Sequence, residues 1–509
     1  MPAELHIQDR LYIGGEWRPP IDAGLFDSKN PATGAVWAKA AYAGPGDIDL
    51  AVSAANEALK GPWGKWSPQR RGALLRAIGA VIDANVEMLA QTEMQDNGML
   101  LSDARRNVLS LAQYFYYFAG IADKLEGRTI PVDDGYFVYT TRVPVGVVGA
   151  ILPWNAPLQM VTWKLAPALA AGCTIVIKSA EQTPISAYVF ARLIDKLDIP
   201  PGVINIVSGL GSEAGRSLVE HPGVNKISFT GEHLTAQKIM RAGAVNLKRL
   251  TFECGGKAPH IIFDDANLEQ AINAATHSSF ALCGQSCALG SRLLVQRGAY
   301  DRVATELTAR AGRLRVGDPA SATTHMGPQA HAEQLSKTLH YIDIGRAEGA
   351  TLLAGGTRLT DEGRAEGYFV APTVFADVDN DMRIAREEIF GPVVSIMPFD
   401  TEEDVIRTAN NTQYGLVAGL WSQDIGRAHR VAAQLQAGTV WINTYRFLRW
   451  SVPYGGFKMS GIGRENGVQA IDAYLETRAT VINLSGEYAD PYADMAADQQ
   501  IAGLKKHGN

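Results

Sequence analysis

Residues 147–178 read VVGAILPWNAPLQMVTWKLAPALAAGCTIVIK, and this stretch decides the fold. Val147 to Leu152 is a short apolar run closed by Pro153, which reads as a buried strand. Leu165 to Ala171 has helical spacing, and Thr174 to Lys178 is a second, largely apolar strand. The alternation runs on through a helix from Pro184 to Leu197, a strand from Val203 to Val207, a helix from Glu213 to Glu220 and a strand from Lys226 to Phe229. Short apolar strands between amphipathic helices predict an α/β fold with a parallel sheet and helical crossovers.

Upstream, Leu11-Tyr12-Ile13 running into Gly14-Gly15 predicts a hairpin, and Asp47 to Leu59, Arg70 to Asp96 and Asn107 to Gly120 have helical periodicity. A second α/β series begins at His260-Ile261-Ile262-Phe263. It includes strands at Arg292 to Gln296, Val393 to Pro398 and Thr439 to Ile442, and helices at Tyr300 to Ala311 and Gln329 to Glu348. The chain of 509 residues exceeds what one core usually supports, so more than one packed unit is expected. Apolar residues make up 46% and charged residues 20%, with a net charge of −6, which argues against a nucleic-acid partner. The start, Met1 to Arg10, carries no apolar run of signal-peptide length, and the most apolar stretch, Val145 to Leu152, is too short to span a bilayer. A cytoplasmic protein is expected. The tail from Glu487 to Asn509 is polar and reads as loosely ordered or docked on a neighbour. The four cysteines, Cys173, Cys254, Cys283 and Cys287, form neither a disulfide framework nor a zinc pattern, so reduced thiols and no metal are expected.

Four segments carry chemistry. Cys287 follows Gly284-Gln285-Ser286; on its own it reads as a packed small hydrophobe before it reads as a nucleophile. Glu253, before Cys254-Gly255-Gly256-Lys257, reads as a carboxylate on a turn, either a general base or a solvated loop acid. Asn155 stands between Pro153 and Pro157 with its backbone restricted, and its amide suits an oxyanion as well as a simple turn. Lys178, with Ser179 and Glu181 behind it, ends a strand at the carboxyl edge of the expected sheet, where nucleotides bind in open α/β folds and where surface charges are also common.

Taken in order, these motifs become specific. Pro153-Trp154-Asn155, Lys178 to Pro184, Phe229-Thr230-Gly231, Glu253 to Lys257, Gly284 to Cys287, Glu387 to Pro392 and Pro453 to Gly461 together resemble the aldehyde dehydrogenase superfamily over roughly residues 10–484. The resemblance implies a Rossmann-type cofactor domain (1–125 and 145–255, with 459–474), an α/β catalytic domain (256–458), and a β oligomerisation arm with the C-terminal tail (126–144 and 475–509). It implies oxidation of an aldehyde to its acid with NAD, or NADP, in a homodimer or homotetramer. Cys287 would be the nucleophile, Asn155 the oxyanion donor and Glu253 the base that activates water, with Lys178 counted among both the catalytic and the cofactor residues. The cofactor would be held by Leu152, Pro153, Trp154, Lys178, Ser179, Glu181, Gly211, Phe229, Thr230, Gly231, Glu232, Gly255, Glu388 and Phe390. Family members that pass the acyl group to coenzyme A generally lack the acid at Glu253, so its presence favours hydrolysis. The presence of Cys287, Glu253 and Asn155 argues against a silent structural member.

Departures from the family pattern bear on the cofactor. Glu232 and Ala236 stand where Ser and Gly are usual, and a carboxylate there suits the helix dipole but repels a diphosphate. With Glu181 present, this favours NAD over NADP. Cys254 stands for the commoner Leu and Leu282 for Asn; Cys283 reads as a packed side chain, with a disulfide to Cys287 under oxidation as the other reading. At the substrate end the resemblance places Gln159, Met160, Trp163, Ala281, Ser286, Arg446, Phe447, Arg449, Trp450 and Tyr454. Two readings stay open there. Either Arg446 or Arg449 grips the carboxylate of a semialdehyde, or both face solvent or a subunit contact while Phe447 and Trp450 shape a tunnel for an aromatic or medium-chain aldehyde.

Overall fold

The structure is a computed structural model that describes residues 7–21, 24–488 and 490–492. The expectations for residues 1–6 and for most of the C-terminal tail lie outside the described residues. The chain divides into two compact units, 1–124 with 144–475, and 125–143 with 476–509.

Within the first unit the elements run in chain order as β1 (Leu11–Ile13), β2 (Glu16–Arg18), α1 (Pro45–Lys60), α2 (Pro68–Ala84), α3 (Val86–Asn97), α4 (Leu101–Ile121), β3 (Val147–Ile151), α5 (Pro157–Ala171), β4 (Thr174–Ser179), α6 (Ile185–Ile194), β5 (Ile204–Ser208), α7 (Arg216–Glu220), β6 (Lys226–Gly231), α8 (His233–Gly243) and β7 (Arg249–Cys254). There follow β8 (Pro259–Ile262), α9 (Leu268–Phe280), β9 (Arg292–Gln296), α10 (Arg297–Arg313), α11 (Ala332–Ala347), β10 (Thr351–Ala354), β11 (Thr373–Ala376), β12 (Val393–Phe399), β13 (Val417–Trp421), β14 (Thr439–Ile442) and β15 (Gly461–Ile462).

One sheet has the order β15-β7-β6-β3-β4-β5-β1-β2, with the central strands β7 to β5 parallel. Strands β3 to β5 are buried at every position, as expected of strands covered by helices on both faces. The second sheet has the order β10-β11-β12-β9-β8-β13-β14 and is parallel except for β10. The hairpin read at Gly14-Gly15 is present: Tyr12 pairs with Trp17.

Helix α5 is apolar nearly all round and buried along its length, which marks a core helix. It begins at Pro157, earlier than the spacing from Leu165 implied, because proline is tolerated in the first turn; it ends at Gly172, whose φ of +93° closes the cap. The single helix expected over Arg70 to Asp96 is two. The backbone leaves helical geometry at Asn85 (φ −126°, ψ 24°), whose side chain donates to Val81 O, so the apolar period runs across a break that it does not reveal. The segment Glu213 to Glu220 begins as a wider turn over Gly211–Gly215 and is α-helical only in α7. Among the described residues no helix is long and apolar enough to cross a membrane.

The second unit contains a three-stranded sheet in which Tyr136–Pro144 lies between Thr129–Ile130 and Leu475–Asn483.

Candidate active site

Sheet order places the site. The chain goes from β3 through β4 to β5 on one side, then returns to lay β6 and β7 on the other, so a crevice opens at the carboxyl ends of β3 and β6. Register aligns the strand ends: Ile151 stands opposite Lys178, Ser208 opposite Ser179, and Gly231 opposite Cys254. Pro153-Trp154-Asn155 leave the end of β3, and Glu253 is the penultimate residue of β7. Glu253 is therefore not the turn acid that the double glycine suggested. It is a strand residue, 2% exposed.

Cys287 lies on the loop between α9 and β9. Leu282 (φ +54°), Cys283 (φ +53°) and Gly284 (φ +73°) take left-handed backbone in succession, which turns the loop back sharply. Glycine is required at 284, where a Cβ would lie 2.0 Å from the Gly391 carbonyl carbon. Side chains pin the turn: Gln329 Nε2 donates to Cys283 O (2.7 Å), and Gln285 Oε1 accepts from Ala330 N (2.8 Å). Cys283 is buried, with Gln329 Nε2 3.2 Å from its Sγ. Gly256 lets the chain after β7 back against this loop, since a Cβ there would meet Cys287 O at 2.7 Å.

Three groups converge on the Cys287 thiol. Tyr454, 2% exposed, places its hydroxyl 3.2 Å from Sγ. Glu253 lies against Cys287, and its Oε1 is buried without a hydrogen-bond partner. Burial drives the Glu253 carboxyl up to about 7 and, with the neighbouring Glu253 charge, drives the Cys287 thiol well above its ordinary value; the Tyr454 hydroxyl pulls the thiol the other way. Asn155 Nδ2 donates to Gln285 O (2.9 Å), which fixes the amide beside the same loop.

A cavity of about 410 Å3 brings together Asn155, Glu253 and Cys287 with Pro153, Trp154, Met160, Thr230, Gly231, Glu232, Gly255, Glu388 and Phe390. Its polar groups are built in. Glu388 Oε1 accepts from Gly256 N (2.8 Å), and a Cβ on Gly255 would strike the same carboxylate at 2.1 Å. Phe390 (φ +61°) and His331 pack edge-on to Trp154, and Thr230 Oγ1 is buried without a partner. Glu232 stands just before α8, where its acidity meets the start of the helix. The other expected cofactor residues flank the cavity without lining it. Lys178, 2% exposed rather than a surface charge, pairs with Glu181 (2.8 Å). Leu152 N donates to Lys178 O, Ser179 Oγ to Val207 O, Phe229 packs on Phe252, and Gly211 opens the turn before α7. Lys178 is not brought to the thiol.

Sequence reasoning missed the residues of α3 that hold this loop in place. Asn97 Nδ2 donates to Asn155 O (3.1 Å), and Glu93 Oε1 accepts from Leu158 N (3.2 Å) in the first turn of α5. The only signal was the position of these acids and amides inside a helical period, which says nothing of what they reach.

At the substrate end the structure separates the candidates. Trp163 packs edge-on to Tyr454 (5.5 Å) and against Tyr114, which in turn meets Trp450 (6.1 Å). Ser286 stands beside the thiol in sequence, its Oγ accepting from Ala288 N. Gln159 is partly exposed on α5. Phe447 is 48% exposed, and Arg449, also exposed, lays its guanidinium over the Phe447 ring (4.7 Å). Arg446 instead carries a sealed Nη1 and feels Cys287 and Tyr454.

The aldehyde dehydrogenase family model matches residues 17–480. The chain belongs to the aldehyde dehydrogenase family. This aldehyde dehydrogenase is 42% identical over 476 residues to an aldehyde dehydrogenase of Alternaria alternata, covering 93% of this chain and 95% of that one. It superposes on an aldehyde dehydrogenase from Bacillus cereus, solved as an NAD+ complex, with a TM-score of 0.92 at 44% identity, covering 94% of this chain and 97% of that one. A betaine aldehyde dehydrogenase from Staphylococcus aureus, also solved with NAD+, superposes with a TM-score of 0.95 at 38% identity, covering 96% and 98%. The α/β architecture is thus that of the family, and this aldehyde dehydrogenase is an oxidoreductase acting on aldehydes.

Proposed function

We propose that the chain oxidises an aldehyde to the free carboxylic acid through a thioester on Cys287. The observation that carries the reading is the convergence of Cys287, Glu253 and Asn155 on one cavity with Glu388 and Phe390. Glu253, raised to about 7, takes the thiol proton, and the Tyr454 hydroxyl donates to the resulting thiolate. The thiolate attacks the aldehyde carbon. The oxyanion so formed is held by Asn155 Nδ2 and the Cys287 N–H. A nicotinamide dinucleotide, when bound, supplies the hydride acceptor that leaves a thioester. Glu253 then takes a proton from water, whose oxygen attacks the thioester; the acid departs and the thiol is restored.

The residues present fit NAD. Glu388, stationed by Gly256 N, suits a ribose hydroxyl pair beside Phe390, and the Lys178–Glu181 pair at the end of β4 suits the other ribose. The unpartnered Thr230 Oγ1 is a free donor on the same wall. Glu181 and Glu232 disfavour an added phosphate, so NAD is preferred over NADP. In this reading the β15-to-β2 sheet belongs to the cofactor domain, the second sheet to the catalytic domain, and the three-stranded sheet to an arm that pairs with another copy in a cytoplasmic dimer or tetramer.

Replacing Cys287 by Ala tests the reading. Formation of reduced cofactor from every accepted aldehyde should fall by at least ~10³-fold while cofactor binding persists. Undiminished turnover would sink it. A stoichiometric demand for coenzyme A would move the chain to the acylating branch.

A further inference from the structure

Other buried cations show how this fold satisfies a sealed charge. Lys164 pairs with Glu465 and Lys178 with Glu181, and the Arg292 guanidinium meets Lys257 O, Asn380 Oδ1, Thr408 O and Ala409 O. Arg446 is different. Its backbone is left-handed (φ +59°), a conformation costly for a side chain with a Cβ. Its Nη1 is sealed from solvent with no hydrogen-bond partner, and among the described residues no carboxylate forms an ion pair with it. Asp103 is near enough to be felt, but its carboxylate is taken by Arg106. Arg446 is only partly buried as a residue, yet its sealed Nη1 is a charged donor with nothing to receive it, and leaving such a group unmet is costly. A ligand oxygen would supply the missing acceptor.

A cavity of about 520 Å3 supplies the approach. Arg106, His277, Arg310, Arg313 and His325 line it against a single acid, Asp103, and Ala281, on the loop that carries Cys287, lines it too. Arg310 is partly offset by Glu306 at 3.8 Å. Arg446 reaches this cavity electrostatically: burial, then Arg446 and Arg106, hold His277 down at about 4. Arg446 also feels Cys287 more strongly than any other titrating group. It thus lies near both His277 of this cavity and the nucleophile, and the three arginines of the cavity outnumber its one acid, a field that draws anions.

We propose that Arg446 anchors the carboxylate of the substrate, and that the physiological aldehydes are short oxo acids with the carboxylate a few carbons from the reacting carbon. A planar carboxylate matches the guanidinium fork, and the closeness of Arg446 to Cys287 sets a short spacer. This deepens the aldehyde-oxidising reading above and rests on it.

The test compares kcat/KM for ω-oxo acids of increasing length with n-alkanals of equal carbon count, using the full chain as wild type, Arg446→Met, Arg446→Lys and the surface variant Arg449→Ala. The wild type should favour the acid at one or two chain lengths. Arg446→Met should cut the acid-to-alkanal ratio by about 10- to 100-fold, mainly through KM. Arg446→Lys should recover part of it, and Arg449→Ala should leave it unchanged. A wild type without preference for the acid, or equal loss on both substrates in Arg446→Met, overturns the proposal. If no aldehyde of either kind yields reduced cofactor, the aldehyde-oxidising reading fails instead.

Discussion

Glu253 Oε1 is buried and bears no hydrogen bond, and burial above all, with the charges of Glu465 and Glu388 behind it, lifts the carboxyl to about 7 against the pull of Cys287 and Lys164. A carboxyl raised to that value is mostly protonated at pH 6 and mostly ionised at pH 8, and only the ionised form accepts a proton. Turnover should therefore rise with pH through about 7 and level off above it. Glu253→Gln should flatten that limb, slow turnover by roughly 10²- to 10⁴-fold and slow the first burst of reduced cofactor as well, since the same carboxylate takes the thiol proton. Rapid-mixing kinetics at several pH values check both; a Gln variant with unchanged steady-state turnover removes Glu253 from the role of base. Much of this was legible in the sequence, because Glu253, Cys287 and Asn155 each sit in an ordered motif. The Tyr454 contact was not: 167 residues separate Cys287 from Tyr454, and no period in the chain links them. Nor could spacing tell Arg446 from Arg449, since a single left-handed residue turns one inward while the other lies exposed on Phe447.

Helix α5 shows how an element positions a side chain at a distance. Lys164, fully buried at its centre, pairs with Glu465, and Glu465 exchanges backbone hydrogen bonds with Tyr454 at 2.6 and 2.7 Å. The ion pair thus braces the hydroxyl that faces the thiol. Removing one partner leaves the other charge sealed, so Lys164→Met should lower stability by about 3–5 kcal/mol, and Lys164→Met with Glu465→Gln should restore most of it. The same single variant should move alkylation of Cys287 to higher pH, because a displaced Tyr454 no longer donates to the thiolate. The other three cysteines are buried, so alkylation reports this thiol. Thermal unfolding with an alkylation pH profile separates brace from bulk: a stability loss with an unmoved profile refutes the positioning role. The strand–helix alternation of this region was readable from residues 147–229 because burial on both sheet faces imposes it. The break at Asn85 was not, since α2 and α3 both present apolar faces in a continuous period.

At the scale of the molecule, the three-stranded sheet of the second unit ends in the strand Leu475–Asn483, an edge strand that exposes Val481 (62%) and Ile482 (41%), with Leu484 (65%) just beyond. An exposed apolar edge invites another strand. In the oligomeric reading proposed above, Val481→Lys should shift the chain toward monomer in sedimentation velocity, with turnover per subunit the secondary readout; an unchanged sedimentation profile takes this edge out of that reading. The sequence indicated this arm only through family resemblance, for its two nine-residue strands, Tyr136–Pro144 and Leu475–Asn483, do not alternate between buried and exposed positions. The sulfur atoms, finally, share one circumstance. Three are enclosed, and the fourth is kept as a neutral thiol by its dry surroundings and an adjacent acid. Peroxide attacks the anion and not the neutral form, so the resting protein should shrug off oxidants at neutral pH and succumb in alkali, and sulfenic acid would gather first at Cys287.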